Sequence, residues 1–337
     1  MKKSFFLSIL AVGAVLAGCS KVVDSSVMNN AISFDNYVGR DAMTKAAIVT
    51  GADIESVNVN AYLYKKDAKG TWDANFMENQ VVNSDGTYSP VKFWPAEDQV
   101  IDFVGWVPVD NAEVSDATLT FEVPAEVTEQ TDLLVADPQI GRNGDVVNLN
   151  FKHLLSRIGF QVNAAGIPAD TPATEEGGEA TPAANIVKLT SITLNGSFAS
   201  AGTVDMTATT PAVAVAEDNT PTTAYVLTGE HFDMDENRIL TGEYPNNDDA
   251  YIMLIPTGNE PTDITVTYTI TTTETNTVIT NTATFPITTP YVVGKAYKYI
   301  FEIELDQITF KVEETEWDET NANPGTTLNP DEETPAA

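Results

Sequence analysis

The strongest constraint in this chain is an apolar periodicity that stays at two. After residue 20 no long run repeats its apolar residues every three to four positions, the spacing an amphipathic helix needs. Short segments rich in β-branched and aromatic residues alternate instead, separated by Gly, Asn, Asp and Pro. ESVNVNAYLYK (55–65) places Val57, Val59, Ala61 and Leu63 on one face, and KDAKG follows as a turn. ATLTFEVP (117–124) aligns Leu119, Phe121 and Val123, and DVVNLNF (145–151) aligns Val147, Leu149 and Phe151. RIGFQV (157–162) aligns Ile158, Phe160 and Val162. Further runs are VKLTSITLNG, AYIMLIP, TDITVTYTI, TVITNTATFPI and YKYIFEIELDQITFKV. Strands of this length, with turn signals about every 8–12 residues, favour antiparallel sandwiches over a parallel α/β sheet. The predicted class is all-β, with antiparallel β-sandwich domains.

A length of 337 residues fits roughly two domains. A boundary near residue 150 gives an N-terminal sandwich over 41–149 and a C-terminal one over 150–317. An apolar content of 42% can build real cores, so the net charge of −32 belongs to the surface. Such a surface repels phosphates and anionic headgroups, which argues against nucleic acid as a partner. AAGIPADTPATEEGGEATPAAN (164–185) cannot fill a core and reads as a surface insertion in the second domain. The tail 318–337 is equally polar and reads as frayed.

The first residues carry the most specific signal. Lys2 and Lys3 precede an apolar run from Phe5 to Leu16, too short for a comfortable membrane span. LAGC follows, with Cys19 the only cysteine in the chain. Small residues ahead of a lone cysteine match the lipobox of bacterial lipoproteins. That match implies a signal peptide over 1–18, cleavage before Cys19 and lipid on its sulfur. With Cys19 lipidated no thiol remains for disulfides or cysteine-ligated metals.

Chemistry-bearing constellations are sparse. The two histidines are His153, in FKHLLSR beside apolar strand residues, and His231, in the polar, loop-like GEHFDMDEN. The first reads as a structural histidine. No serine sits in a G-x-S-x-G elbow, and no glycine-rich phosphate loop leads from a strand into a helix. Asp233, Asp235 and Asn237 have the 1-3-5 spacing of a calcium loop, but Arg238 stands where the turn glycine belongs and Tyr244 where a bidentate glutamate belongs. Neither a metal nor a cofactor is expected. Acidic residues are so frequent that no particular carboxylate pair is marked for glycoside hydrolysis.

Several ordered motifs carry a family resemblance. They are VKFWPAEDQVIDFVGWVP (91–108), TDLLVADPQ (131–139), VNLNFKHLLSRIGFQV (147–162) and VVGKAYKYIFEIELDQITFKVEETEW (292–317). Together, behind a lipobox, they resemble the fimbrillin-like proteins of Bacteroidales across nearly the whole mature chain. The resemblance implies two transthyretin-like sandwich domains and delivery to the outer membrane as a lipoprotein. It further implies that a trypsin-like protease removes a short N-terminal segment with the first strand. The groove so opened accepts a strand from another subunit, and repetition builds a pilus used in adhesion and biofilm formation.

AISFDNYVGR (31–40) takes its role from this scheme. Ile32, Phe34 and Val38 share a strand face, interrupted by Asn36, and are suited to plug such a groove. Arg40, between Gly39 and Asp41, is the candidate cleavage site, with Lys45 as the alternative; the pro-segment is then 19–40. The tail NANPGTTLNPDEETPAA has almost no alternating apolar face. A donor strand therefore lies earlier, around LDQITFKVEETEW (305–317), or the subunit accepts a strand without giving one. A second reading is a monomeric surface lipoprotein that binds carbohydrate, with Trp72, Trp94 and Trp106 as a stacking platform. Two of these fall in strand-like runs where a core position competes.

Overall fold

The computed structural model describes residues 30–38, 55–68, 76–107, 112–164, 185–232, 243–244, 251–257, 263–288, 290–304, 308–316 and 327–328. The first nine strands are β1 (Phe34–Val38), β2 (Ser56–Lys65), β3 (Met77–Asn83), β4 (Gln99–Trp106), β5 (Ala112–Ser115), β6 (Thr118–Glu122), β7 (Leu134–Ala136), β8 (Gln139–Arg142) and β9 (Val147–His153). Next come β10 (Ser156–Ala164), β11 (Asn185–Phe198), β12 (Ala201–Asp205), β13 (Val213–Val215), β14 (Thr222–Thr228) and β15 (Glu243–Tyr244). The last six are β16 (Tyr251–Leu254), β17 (Asp263–Thr272), β18 (Thr277–Pro286), β19 (Lys295–Ile303), β20 (Ile308–Glu316) and β21 (Thr327–Leu328). Two short 3-10 turns, Val127–Glu129 and Gly229–Phe232, are the helical segments among the described residues. The protein is all-β.

Four sheets form. The first runs β1-β9-β7-β4-β2-β3, with β8 beside β4. The second runs β15-β10-β19-β20-β21, with β16 beside β10, and the third runs β14-β11-β17-β18. The fourth, β13-β12-β6-β5, draws strands from both halves of the chain. Pairing is antiparallel except for β1 with β9 and β10 with β19. Sequence neighbours such as β17 and β18 meet through a local turn, which enforces antiparallel pairing. The two parallel pairs join segments more than a hundred residues apart, where no turn dictates direction.

The alternating runs bury the faces expected of them. Val57, Val59 and Ala61 are fully buried, as are Leu119, Val147, Leu149, Ile158 and Val162. Strand β4 is buried on both faces and divides two cores. Ile101 and Phe103 pack with Val57, Val59, Leu149 and Phe151 on one side. Val104 and Trp106 pack on the other with Leu119, Phe121, Val204 and Met253. A third core lies between the second and third sheets, around Phe160, Tyr225, Tyr299 and Phe301. The chain passes from the first sheet to the second between His153 and Ser156, while the middle core and fourth sheet take residues from both halves.

The tail, read as frayed, contributes β21, where Leu328 lies opposite Val312. The edge of β20 offers unpaired backbone groups that even a polar segment can satisfy.

Candidate functional site: the seat of the first strand

The core containing Phe103 has no second sheet over it among the described residues. Ile32, Phe34 and Trp94 complete it, with Tyr88 packed against them. The alternation of AISFD explains the first two: Ile32 and Phe34 turn inward at 2% and 7% exposure, while Ser33 and Asp35 face solvent. The Phe34 ring meets Tyr88 and Phe103 edge-on at 5.3 and 5.8 Å, and Trp94 meets Phe103 at 5.9 Å. Edge-to-face contacts of this kind add to what area burial alone contributes.

The segment is held on two flanks. Along one, β1 runs parallel to β9, with Phe34 opposite Val147 and Val38 opposite Phe151. The Val147 amide donates to the Ser33 carbonyl at 2.9 Å. Along the other, residues 30–32 run antiparallel to the loop that follows β3, with Ala31 opposite Phe93. There Ile32 N–H donates to Lys92 O at 2.9 Å, and Trp94 N–H donates to Asn30 O at 3.0 Å. The Tyr88 hydroxyl donates to Ile32 O at 2.9 Å and accepts from the Lys92 amide at 3.2 Å. Burial raises the Tyr88 phenol above its ordinary pKa, so it remains a donor at neutral pH. Residues 30–34 thus sit in a slot between two flanks, and the rest of β1 lies along β9 at the end of the sheet.

A turn over 83–87 fits against the strand. Gly86 has φ +78°, and a Cβ placed there would lie 2.7 Å from the Phe34 carbonyl oxygen. Only glycine allows both the backbone angle and this approach. Asp85 secures the turn by accepting from the Thr87 amide at 2.9 Å and the Thr87 hydroxyl at 2.6 Å. These bonds, the hydroxyl first, hold the exposed Asp85 carboxyl below its ordinary value of 3.8. A depressed carboxyl supports the turn above pH 3.8 and releases it as acid titrates the folded group. Intrinsic-rate-corrected amide exchange at Thr87 is therefore expected to stay slow down to that pH and to accelerate below it. Equal protection at pH 5 and at about pH 2 would show that Asp85 does not hold the turn.

The residues singled out in the sequence have separate fates. Ile32 and Phe34 come together in the seat, and Val38 lies in β1, its side chain outside the described residues, as are Cys19, Arg40 and Lys45. His153 is buried, with Nδ1 2.5 Å from Asp132 Oδ2. His231 lies not in an open loop but in the 3-10 turn Gly229–Phe232, because Phe232 is drawn into the third core. Its Nδ1 accepts the Thr228 amide at 3.0 Å. Asp233, Asp235, Asn237 and Arg238 lie outside the described residues, and Tyr244 belongs to β15. Trp94, outside any strand, and Trp106, in β4, fill two different cores and share no surface platform; Trp72 lies outside the described residues. Strand β20 pairs with β19 from Ile308 to Glu316, and Phe310 packs on Phe285 at 4.6 Å, so this donor candidate is built into the second sheet. Tyr88 and Gly86 carry no signal of their own in the sequence, and Trp94 stands out there as a stacking residue rather than as part of a flank for residues 30–32. SDGT (84–87) signals a turn, but nothing local says which distant strand that turn will touch.

A β-sandwich protein whose first strand is clasped between a sheet edge and a loop is the class that the fold defines. The model of the fimbrillin-like family matches residues 44–317, and the chain belongs to that family. Among solved structures, a fimbrial protein from Bacteroides vulgatus superimposes with a TM-score of 0.61 at 18% identity. The alignment covers 86% of this chain and all of that one. A candidate cell adhesion protein from Bacteroides uniformis gives 0.50 at 16% identity, covering 85% of this chain and 99% of that one. A comparison with curated protein sequences finds no match.

Proposed function

We propose that this chain is a subunit of a cell-surface fimbria, held before assembly with its own first strand in the place of a partner's. In this reading Cys19 carries the lipid that tethers the precursor to the outer membrane. A trypsin-like protease cuts after Arg40, or after Lys45, and the segment 19–40 leaves. The remainder, from residue 41 onward, is the mature body. Ile32 and Phe34 would then vacate their pockets, and β9 would present unpaired N–H and C=O groups to an incoming strand of another fimbrial subunit, in a homo- or heteropolymer. Adhesion and biofilm formation follow as the task of the assembled fibre, and no enzymatic activity is assigned.

The observation that carries this reading is that β1 is the outermost strand of its sheet while Ile32 and Phe34 are buried. Burying each contributes about 1.5–3 kcal/mol before the ordering of the segment is subtracted. Mass spectrometry of protein sheared from the cell surface checks the reading through its mature N-terminus. Chains beginning at Asp41 or Ala46 are expected. A population that begins at lipidated Cys19 throughout would make the protein a permanent lipoprotein with a fixed first strand.

A further inference from the structure

The seat contains more recognition than an open sheet edge would supply. An edge offers backbone groups on one side only and reads side chains through alternate pockets. Here the loop over 83–94 adds a second set of contacts, and each sets a condition on whatever occupies the slot. The Lys92 carbonyl requires an amide N–H at the position of Ile32, and the Trp94 amide requires a carbonyl at the position of Asn30. Tyr88 favours a second carbonyl at the position of Ile32, 2.9 Å away, over its other acceptor, Lys92 O at 3.3 Å. Val147 requires a third, one residue later, on the opposite flank. Gly86 leaves room for a backbone carbonyl at the position of Phe34 and for nothing more on its own side.

We propose that this loop, through Tyr88 and Gly86, selects the strand that β9 accepts; this rests on the reading of the seat as an acceptor. The partner it fits is an extended segment running parallel to β9 and antiparallel to 92–94. That segment carries a non-proline apolar residue, one intervening residue, and then an aromatic. The polarity follows because the two flanks pair in opposite senses, so a reversed strand exchanges donors and acceptors against both. The register follows because a shift of one residue turns Ser33 and Asp35 into the apolar pockets. A shift of two carries the aromatic away from the edges of Tyr88 and Phe103.

Peptide exchange tests this with the full chain after native cleavage at Arg40. A dye-labelled peptide of residues 30–38 is added in excess, and its uptake is followed by fluorescence anisotropy. The native peptide is expected to enter saturably, whereas peptides carrying I32P or F34A, and the reversed sequence, bind at least about tenfold more weakly. In the protein, Y88F weakens binding of the native peptide about threefold or more, and G86A about tenfold or more. Should G86A fail to fold, Y88F and the peptide series still decide the matter. Equal binding of native and I32P peptides by wild type, with Y88F indistinguishable from it, overturns the selection by the loop and leaves the acceptor reading standing. Failure of the native peptide to enter wild-type protein defeats the acceptor reading itself, and the inference falls with it.

Discussion

Replacing Phe34 with aspartate is expected to cost the intact chain about 3–5 kcal/mol of stability and to leave the body cleaved after Arg40 unchanged. The size of the effect comes from two sources. The ring is 7% exposed and touches Tyr88 and Phe103, so its loss opens a cavity in a core that no second sheet covers among the described residues. A carboxylate there would also be desolvated, with apolar neighbours instead of partners. Urea unfolding of both forms reads the difference, since a shifted midpoint at constant slope reports stability alone. If F34D unfolds like wild type before cleavage, Phe34 does not help to hold the first strand in its seat. If the cleaved body is also weakened, the segment ending at Arg40 has stayed in its seat after the cut.

The second large effect is expected at Asp132 and His153. Both side chains are fully buried and lie 2.5 Å apart, between β9 and the loop that leads into β7. Beside them Gln130 accepts the Met253 amide at 2.7 Å and donates to Pro124 O at 2.9 Å, bridging the two halves of the chain. Removing one member of a buried pair leaves the other without compensation, at about 3–5 kcal/mol. H153L and D132L should each unfold at markedly lower denaturant. The double substitution D132L/H153L should recover much of that loss, because an apolar pair of similar volume carries no desolvation penalty. Simple additivity of the two single losses in the double variant would mean that the two residues act independently.

Strand content was legible because alternation is local. Val57, Val59 and Ala61, or Leu119, Phe121 and Val123, announce a buried face within a few residues, and those faces are buried. Ile32 and Phe34 were legible for the same reason. Strand β4 was legible as a strand but not as a divider between two cores, since QVIDFVGW shows which residues are apolar and not what lies on either side. The hairpin between β5 and β6 turns on Asp116 and Ala117, with φ of +48° and +60°. Such a turn ordinarily advertises itself with Asn-Gly, and here it does not. The parallel pairings, the fourth sheet shared between halves and the approach of Gly86 to Phe34 all depend on residues fifty or more positions apart. Periodicity is blind to contacts of that kind.

Assembly by strand exchange needs a first strand that can leave without loss of the body. Treatment of the purified intact protein with an arginine-specific protease under native conditions, followed by intact mass and light scattering on the same sample, tests this directly. The expected result is loss of the segment ending at Arg40, a body that stays folded, and oligomers that grow with concentration. A chain that resists cleavage at Arg40, or a cleaved body that remains monomeric at every concentration, would contradict it.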